Sequence, residues 1–100
     1  MNEKLLSLMG IARKAGRLSL GYDPAEEAMR KGKSKLLLIA KDVSERTLKS
    51  ITAAAQQTGT RMILTDITMD AFGAAVGKRS GIVSVNDRGF AEKMETLCSE

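Results

Sequence analysis

Two glycine-containing segments carry the residues best suited to chemistry, and that chemistry is the binding of an anion. The loop from Gly77 to Gly81, Gly-Lys-Arg-Ser-Gly, can bring backbone N–H groups and two cations to a phosphate or a base edge. Gly21 precedes a predicted helix, whose N-terminal N–H groups and dipole attract anions. Each segment also fits an ordinary turn or cap, so neither decides the function alone.

Residues suited to catalysis are scarce. Gly32-Lys33-Ser34 resembles the end of a phosphate-binding P-loop, but Glu27 replaces the motif's first glycine and the segment follows a helix and precedes a strand, the reverse of the motif. Glu26 and Glu27 point in different directions on a helix and form no carboxylate dyad. The chain has no histidine, which excludes Ser-His-Asp triads. We therefore predict no catalytic residues, metal site or cofactor, and assign turns and caps to Asp42, Asp66, Asp70 and Asp87.

Length and composition predict one globular domain, residues 1–100. Hydrophobic residues make up 43% and charged residues 28% of the 100 positions, which is typical of a soluble domain. The longest apolar run, 36–40, is far shorter than the roughly 20 residues that span a bilayer, so no membrane association is expected. The N-terminus does not resemble a signal peptide, and Cys98 has no partner for a disulfide. These features favour a cytoplasmic protein.

The basic residues are concentrated in the first part of the chain. The net charge is +4. Residues 1–41 contain nine Lys or Arg against four acids, whereas residues 42–100 contain seven against eight. An uneven basic surface favours a nucleic-acid partner. A solvated lysine face explains the same charge equally well.

Hydrophobic spacing and capping residues predict helices alternating with strands. Helices are predicted at residues 2–15, from Asp23 to Gly32, from Ser44 to Gly59, at 68–76 and from Asp87 onward. In the second helix, Asp23 is the expected N-cap and Pro24 the first helical residue. Strands are predicted at 17–20, 35–40, 61–65 and 82–85. This order predicts a three-layer α/β/α sandwich around a small, mostly four-stranded mixed sheet, with a core that includes Leu37, Ile39, Ile63 and Val83.

Three segments in order resemble a known family. The segments Gly21 to Asp42, Phe72 to Lys78 and Val83 to Ala91 resemble the kink-turn RNA-binding ribosomal proteins of the L7Ae and L30e type. The last segment is similar to the small bacterial, YlxQ-like branch of that family. The resemblance covers nearly the whole chain and implies the same α/β/α fold.

The resemblance implies RNA binding without catalysis, with structured, possibly ribosomal RNA as the partner and no small-molecule substrate. In the family, the first turn of the second helix enters the major groove of a kink-turn. There an Asn-Glu pair and a Lys read the guanines of tandem sheared G·A pairs. Counted from Gly21, these three positions hold Asp23, Pro24 and Glu27. None of the three is kept, so we expect specific reading of kink-turns to be weak.

At the surface where the resemblance places the RNA, four cations are candidates for phosphate contacts: Arg17, Lys31, Lys78 and Arg79. Tyr22 is a candidate for stacking on an unpaired base. We expect the cations to converge on one face, where they position RNA without specifying its sequence. The alternative is a protein–protein interaction module on the same scaffold that has lost its RNA determinants. The complete predicted site is Arg17, Gly21, Tyr22, Asp23, Glu27, Lys31, Lys78 and Arg79.

Overall fold

The computed structural model describes residues 2–99, which alternate between helices and strands as predicted. The predicted strands are correct to within one residue at each end. No helix within 2–99 has the length and apolar character needed to cross a membrane. The elements are α1 Glu3–Lys14, β1 Leu18–Leu20, α2 Tyr22–Arg30, β2 Leu36–Ile39, α3 Glu45–Thr58, β3 Met62–Leu64, α4 Met69–Val76, β4 Ile82–Val85 and α5 Arg88–Cys98.

The four strands form one mixed sheet in the order β1-β4-β2-β3. Strand β2 is parallel to β3, whereas β4 lies antiparallel between β1 and β2. The C-terminal ends of β1, β2 and β3 therefore share one end of the sheet with the N-terminal end of β4. All loops that follow the first three strands meet there.

Each face of the sheet is covered by helices, which confirms the sandwich. Buried residues of α1, α4 and α5 pack on the face that carries Leu36, Leu38 and Val83. Buried residues of α2 and α3 pack on the opposite face, with Leu37 and Ile39. The continuous apolar run of β2 is thus explained, because both of its faces are covered.

One predicted core residue is less buried than expected. Leu37, Ile39 and Val83 are fully buried, but Ile63 is only partly buried. Ile63 lies in β3, which is an edge strand of three residues. A strand at the edge has a neighbour on one side only, so its side chains are covered less completely than those of β2 and β4.

Four of the five helices within 2–99 begin with a side chain that accepts a hydrogen bond from the backbone of the first turn. Ser44 and Asp87 do so as predicted. These helix starts can be predicted from the sequence, because the capping residue and the apolar residues that follow it are close together in the chain. The four capping residues are Asn2, Ser44, Thr68 and Asp87.

Helix α2 begins differently, and the predicted Asp23 cap is wrong. The N-cap is Gly21, with φ +96° and no side-chain bond. Its carbonyl accepts from the N–H of Ala25 at 3.1 Å, and its own N–H donates to the carbonyl of Ile82 at 2.8 Å. The bond to Ile82 ties the chain to β4 and starts the helix two residues earlier. Pro24 is tolerated in the first turn because N–H groups there have no partner within the helix.

Gly73 on α4 allows the loop before β4 to pack closely. A Cβ at this position would lie 2.8 Å from the Cα of Arg79. We expect Gly73→Ala to lower the free energy of unfolding by about 1–3 kcal/mol, as other overpacking substitutions do. Denaturant unfolding measures this difference. Gly89→Ala is the control, because Gly89 is exposed in α5, and its effect should stay below about 1 kcal/mol. Equal losses in both variants would contradict the close-packing account.

Candidate nucleic-acid interface

The predicted site residues lie at two opposite ends of the sheet, so the expected convergence on one face is wrong. Leu20 pairs with Val83, which places Gly21 beside the start of β4. Arg17 precedes β1 at the other end, where its carbonyl accepts from the N–H of Asn86 at 2.8 Å. Strand β1 and helix α2 both run along the sheet from Gly21. Arg17, before β1, and Lys31, after α2, therefore lie at the end of the sheet opposite to Gly21.

We call the two regions the loop end and the basic end. The loop end contains the start of α2, the residues that follow β2 and β3, and the loop before β4. The basic end contains the ends of α1 and α2 and the residues that lead into β1 and β2. Glu27 lies on α2 between them. Of the predicted residues, Arg17 and Lys31 belong to the basic end, and Gly21, Tyr22, Asp23, Lys78 and Arg79 belong to the loop end.

The start of α2 presents backbone donors at the loop end. Among the first N–H groups of this helix, that of Gly21 is bonded to Ile82 and Pro24 has none. The N–H groups of Tyr22 and Asp23 remain without the side-chain cap that the other helices have. The first N–H groups of a helix have no partner within the helix and point along its axis. A phosphate oxygen placed here would accept from them.

Tyr22 is held against the neighbouring helix. Its ring is half-buried in the core formed with α3, and its hydroxyl is hydrogen-bonded to that of Ser50 on α3. Only the uncovered part of the ring is available to a base. The tyrosine therefore fixes the position of α2 relative to α3 as well as contributing to the surface.

A groove of about 360 Å³ lies beside Gly21. Val43, Met69 and Ile82 provide apolar walls, and Thr47 adds a hydroxyl at the rim. Gly81 is needed here, because a Cβ would lie 2.4 Å from Cγ1 of Val43. This groove could not be predicted from the sequence, since Val43, Met69 and Ile82 lie in a loop, a helix and a strand that only the fold brings together.

Only one of the two cations in the loop before β4 is free of a carboxylate partner among the described residues. The Nε of Arg79 donates to Oδ1 of Asp70 at 2.6 Å. This hydrogen bond and the charge of the carboxylate raise the pKa of Arg79. Lys78 is exposed and has no carboxylate partner among residues 2–99. Lys78 is thus the cation of this loop that is ready to meet a phosphate.

The loop end as a whole is close to neutral. The side chain of Lys41 lies 3.7 Å from that of Asp66, and Arg79 is paired with Asp70. Acidic residues outnumber basic ones there: Asp23, Asp42, Asp66 and Asp70 face Lys41, Lys78 and Arg79. Long-range attraction of a polyanion to this end is therefore weak.

Seven of the 16 Lys and Arg residues lie at the basic end. Lys31 forms an ion pair with Glu27 at 2.6 Å, and this hydrogen bond holds the pKa of Glu27 below its usual value. Five further cations there are not among the predicted site residues, although they belong to the basic part of the sequence, residues 1–41. All seven are exposed: Arg13, Lys14, Arg17, Arg30, Lys31, Lys33 and Lys35.

Three exposed residues of α2 lie where the resemblance places the base-reading groups of the family. Asp23, Pro24 and Glu27 are all exposed on α2. A carboxylate accepts hydrogen bonds but donates none, and proline has neither a polar side chain nor an N–H.

Comparisons with known proteins match nearly the whole chain to one family of ribosomal and RNA-binding proteins. The sequence model of the "Ribosomal protein L7Ae/L30e/S12e/Gadd45 family" matches residues 3–95. The chain is 30% identical over 99 residues to large ribosomal subunit protein eL30 of Saccharomyces cerevisiae, covering 97% of this chain and 90% of that protein. It is 29% identical over 98 residues to RNA-binding protein YlxQ of Bacillus subtilis, covering 90% of each.

A solved structure from Bacillus halodurans, described as a protein with unknown function, has a similar fold. It superimposes with a TM-score of 0.86 at 26% identity, over 97% of this chain and 98% of that one. The agreement extends over nearly the whole of both chains, so no large element of the fold is added or missing.

Proposed function

The chain belongs to the ribosomal protein L7Ae/L30e/S12e/Gadd45 family, and from this membership we propose that it binds structured RNA without catalysing a reaction. The observation that carries the proposal is the family match over residues 3–95. Relatives of similar length are described as a ribosomal protein and as an RNA-binding protein. A ribosomal or other structured non-coding RNA is the partner that this relationship favours.

The loop end supplies contacts of three kinds for this RNA. The N–H groups of Tyr22 and Asp23 suit a phosphate oxygen, and Lys78 suits a second phosphate. The groove beside Gly21 has apolar walls and a polar rim, which suit an unstacked base, since single-stranded bases are bound by stacking and edge hydrogen bonds. Together these contacts position RNA at the start of α2.

We propose that this binding lacks the specificity for G·A pairs that the family resemblance implies. Asp23 cannot donate to a base, Pro24 offers no acceptor, and Glu27 places a negative charge where the family has a lysine facing guanine O6. Each replacement removes a contact that reads base identity and leaves the phosphate contacts in place. Affinity should therefore depend on charge and shape more than on sequence.

Binding without catalysis agrees with the chemistry of the side chains. The thiol of Cys98 is partly buried, and burial together with the charge of Glu95 raises its pKa. A thiol with a raised pKa is a poor nucleophile. A single cysteine also requires no oxidising compartment, and we propose that the protein acts in the cytoplasm.

Titration of a dye-labelled RNA hairpin that contains an internal loop tests the proposal by fluorescence anisotropy. We expect saturable binding whose affinity falls about 10²–10³-fold between 50 and 200 mM salt, because Lys78 and the exposed cations of the basic end release counterions when they contact phosphates. Lys78→Glu should weaken binding and reduce the salt slope by about 1. The control is Lys93→Glu, an equal change of charge at an exposed site on α5, which should leave both quantities nearly unchanged.

The alternative function predicts a different result. A protein–protein interaction module on this scaffold would bind RNA weakly at any salt concentration, and its interface with a protein partner would depend little on salt. Absence of RNA binding at 50 mM salt would therefore contradict RNA binding as the function and favour the interaction module.

A further inference from the structure

The basic end combines dense positive charge with a rigid backbone. The N–H of Lys35 donates to the carbonyl of Val85, and the N–H of Asn86 donates to the carbonyl of Arg17, both at 2.8 Å. Arg17 and Lys35 are thus attached to opposite sides of the same strand end. Two strand spacings separate them, or about 10 Å.

A polar network fixes the loop between α2 and β2. The hydroxyl of Ser84 donates to that of Ser34 at 2.7 Å, and the amide of Asn86 donates to the hydroxyl of Ser19 at 2.8 Å. The N–H groups of Lys33 and Ser34 both donate to the carbonyl of Ala28, at 2.9 and 3.2 Å. The cations of this loop therefore project from a backbone whose position is set by tertiary contacts.

Local structural roles account for only part of this charge. Arg13, Lys14 and Arg30 lie in the last turns of α1 and α2, where cations offset the helix dipole. Arg17 and Lys33 lie beyond the helices and have no ion-pair partner among residues 2–99. Of the seven cations, Lys31 alone is paired with a carboxylate in this part of the chain, and Asp87 is occupied in capping α5.

We infer that the basic end is a second RNA-binding surface, which takes the phosphate backbone of a duplex segment without sequence preference. The inference rests on the proposed function, since it takes RNA as the polyanion. Double-stranded RNA is recognised mainly through its shape and phosphates, which suits an array of exposed cations with no base-reading groups. Residues 35 and 41 bracket β2, so the two ends lie about 20 Å apart. One protein thereby bridges two RNA segments.

Titration of a plain 20-base-pair RNA duplex, which offers no unstacked base to the loop end, tests the inference. In the variant Arg17→Glu, Lys33→Glu and Lys35→Glu, we expect the affinity at 50 mM salt to fall about 30-fold or more and the salt slope to drop by about 3. The charge-matched control reverses Lys4, Lys49 and Lys93 to Glu, which lie outside the basic end, and should lower the affinity less than about fivefold. All six residues are exposed, and thermal unfolding confirms that each variant folds.

Bridging is tested with a donor-labelled hairpin that contains an internal loop and an acceptor-labelled duplex. Addition of the unmodified protein should produce energy transfer, which the triple variant at the basic end abolishes while it still binds the hairpin. Equal losses of duplex affinity in the basic-end variant and the control would overturn the inference. So would loss of duplex binding in Lys78→Glu, or binding to anionic lipid vesicles in preference to RNA. If the unmodified protein binds neither RNA, the proposed function itself fails.

Discussion

A protein that carries Asp23→Asn, Pro24→Glu and Glu27→Lys together is expected to discriminate tandem G·A pairs by at least about 30-fold, because each bidentate base contact contributes about 1–3 kcal/mol. The asparagine supplies both a donor and an acceptor, the glutamate an acceptor, and the lysine a cation for guanine O6. The measurement is the ratio of affinities for a kink-turn RNA and for a copy whose G·A pairs are replaced by Watson-Crick pairs.

The structure indicates that this variant will fold. Asp23 does not cap α2, because Gly21 occupies that position, so its replacement removes only a favourable charge in the first turn. Loss of the ion pair between Glu27 and Lys31 costs little, since both side chains are more than half exposed and solvent screens their attraction. Far-UV circular dichroism should show an unchanged helix content.

The matched control for the triple variant is Glu45→Lys. The triple variant raises the net charge by two, and so does this single exposed change in the first turn of α3. We expect the control to strengthen binding to both RNAs equally. Equal strengthening by the triple variant would show that these three positions do not face bases.

The largest effect on stability is expected from Phe72→Ala, which should lower the free energy of unfolding by about 3–5 kcal/mol. Phe72 is fully buried on α4 and packs in the core with α1 and α5. Its removal leaves a cavity in that core as well as losing apolar contacts. The loop that carries Lys78 follows α4 directly, so the variant should also lose RNA affinity as α4 loosens.

Denaturant unfolding with Leu64→Ala as the control measures the effect. Leu64 is 55% exposed, and its truncation should cost less than about 1 kcal/mol. A loss below about 1 kcal/mol for Phe72→Ala would contradict the close packing of α4 against this core.

Features that depend on neighbouring residues could be predicted from the sequence. Ser44 and the apolar spacing that follows it predict α3, and the unbroken apolar run of β2 predicts a strand covered on both faces. The start of α2 could not be predicted in the same way. The bond from the N–H of Gly21 to Ile82 joins residues 61 positions apart, and it overrides the local capping preference of Asp23.

The arrangement of the site depended on strand order, which hydrophobic spacing does not encode. A pattern that identifies β1 and α2 says nothing about which sheet end receives each residue. The placement of β4 between β1 and β2 puts Gly21 beside the start of β4 and puts Arg17 and Lys35 on either side of its other end. The basic character of residues 1–41 was visible in the sequence, but its concentration at one end of the sheet required the fold.

The central claim, RNA binding without reading of G·A pairs, is tested most directly by titrating the unmodified protein with a kink-turn RNA and its Watson-Crick counterpart. We expect the two affinities to agree within about threefold at 50 mM salt and to fall together as the salt concentration rises. Nanomolar binding that disappears when the G·A pairs are replaced would contradict the claim, because Asp23, Pro24 and Glu27 would then be compatible with specific recognition.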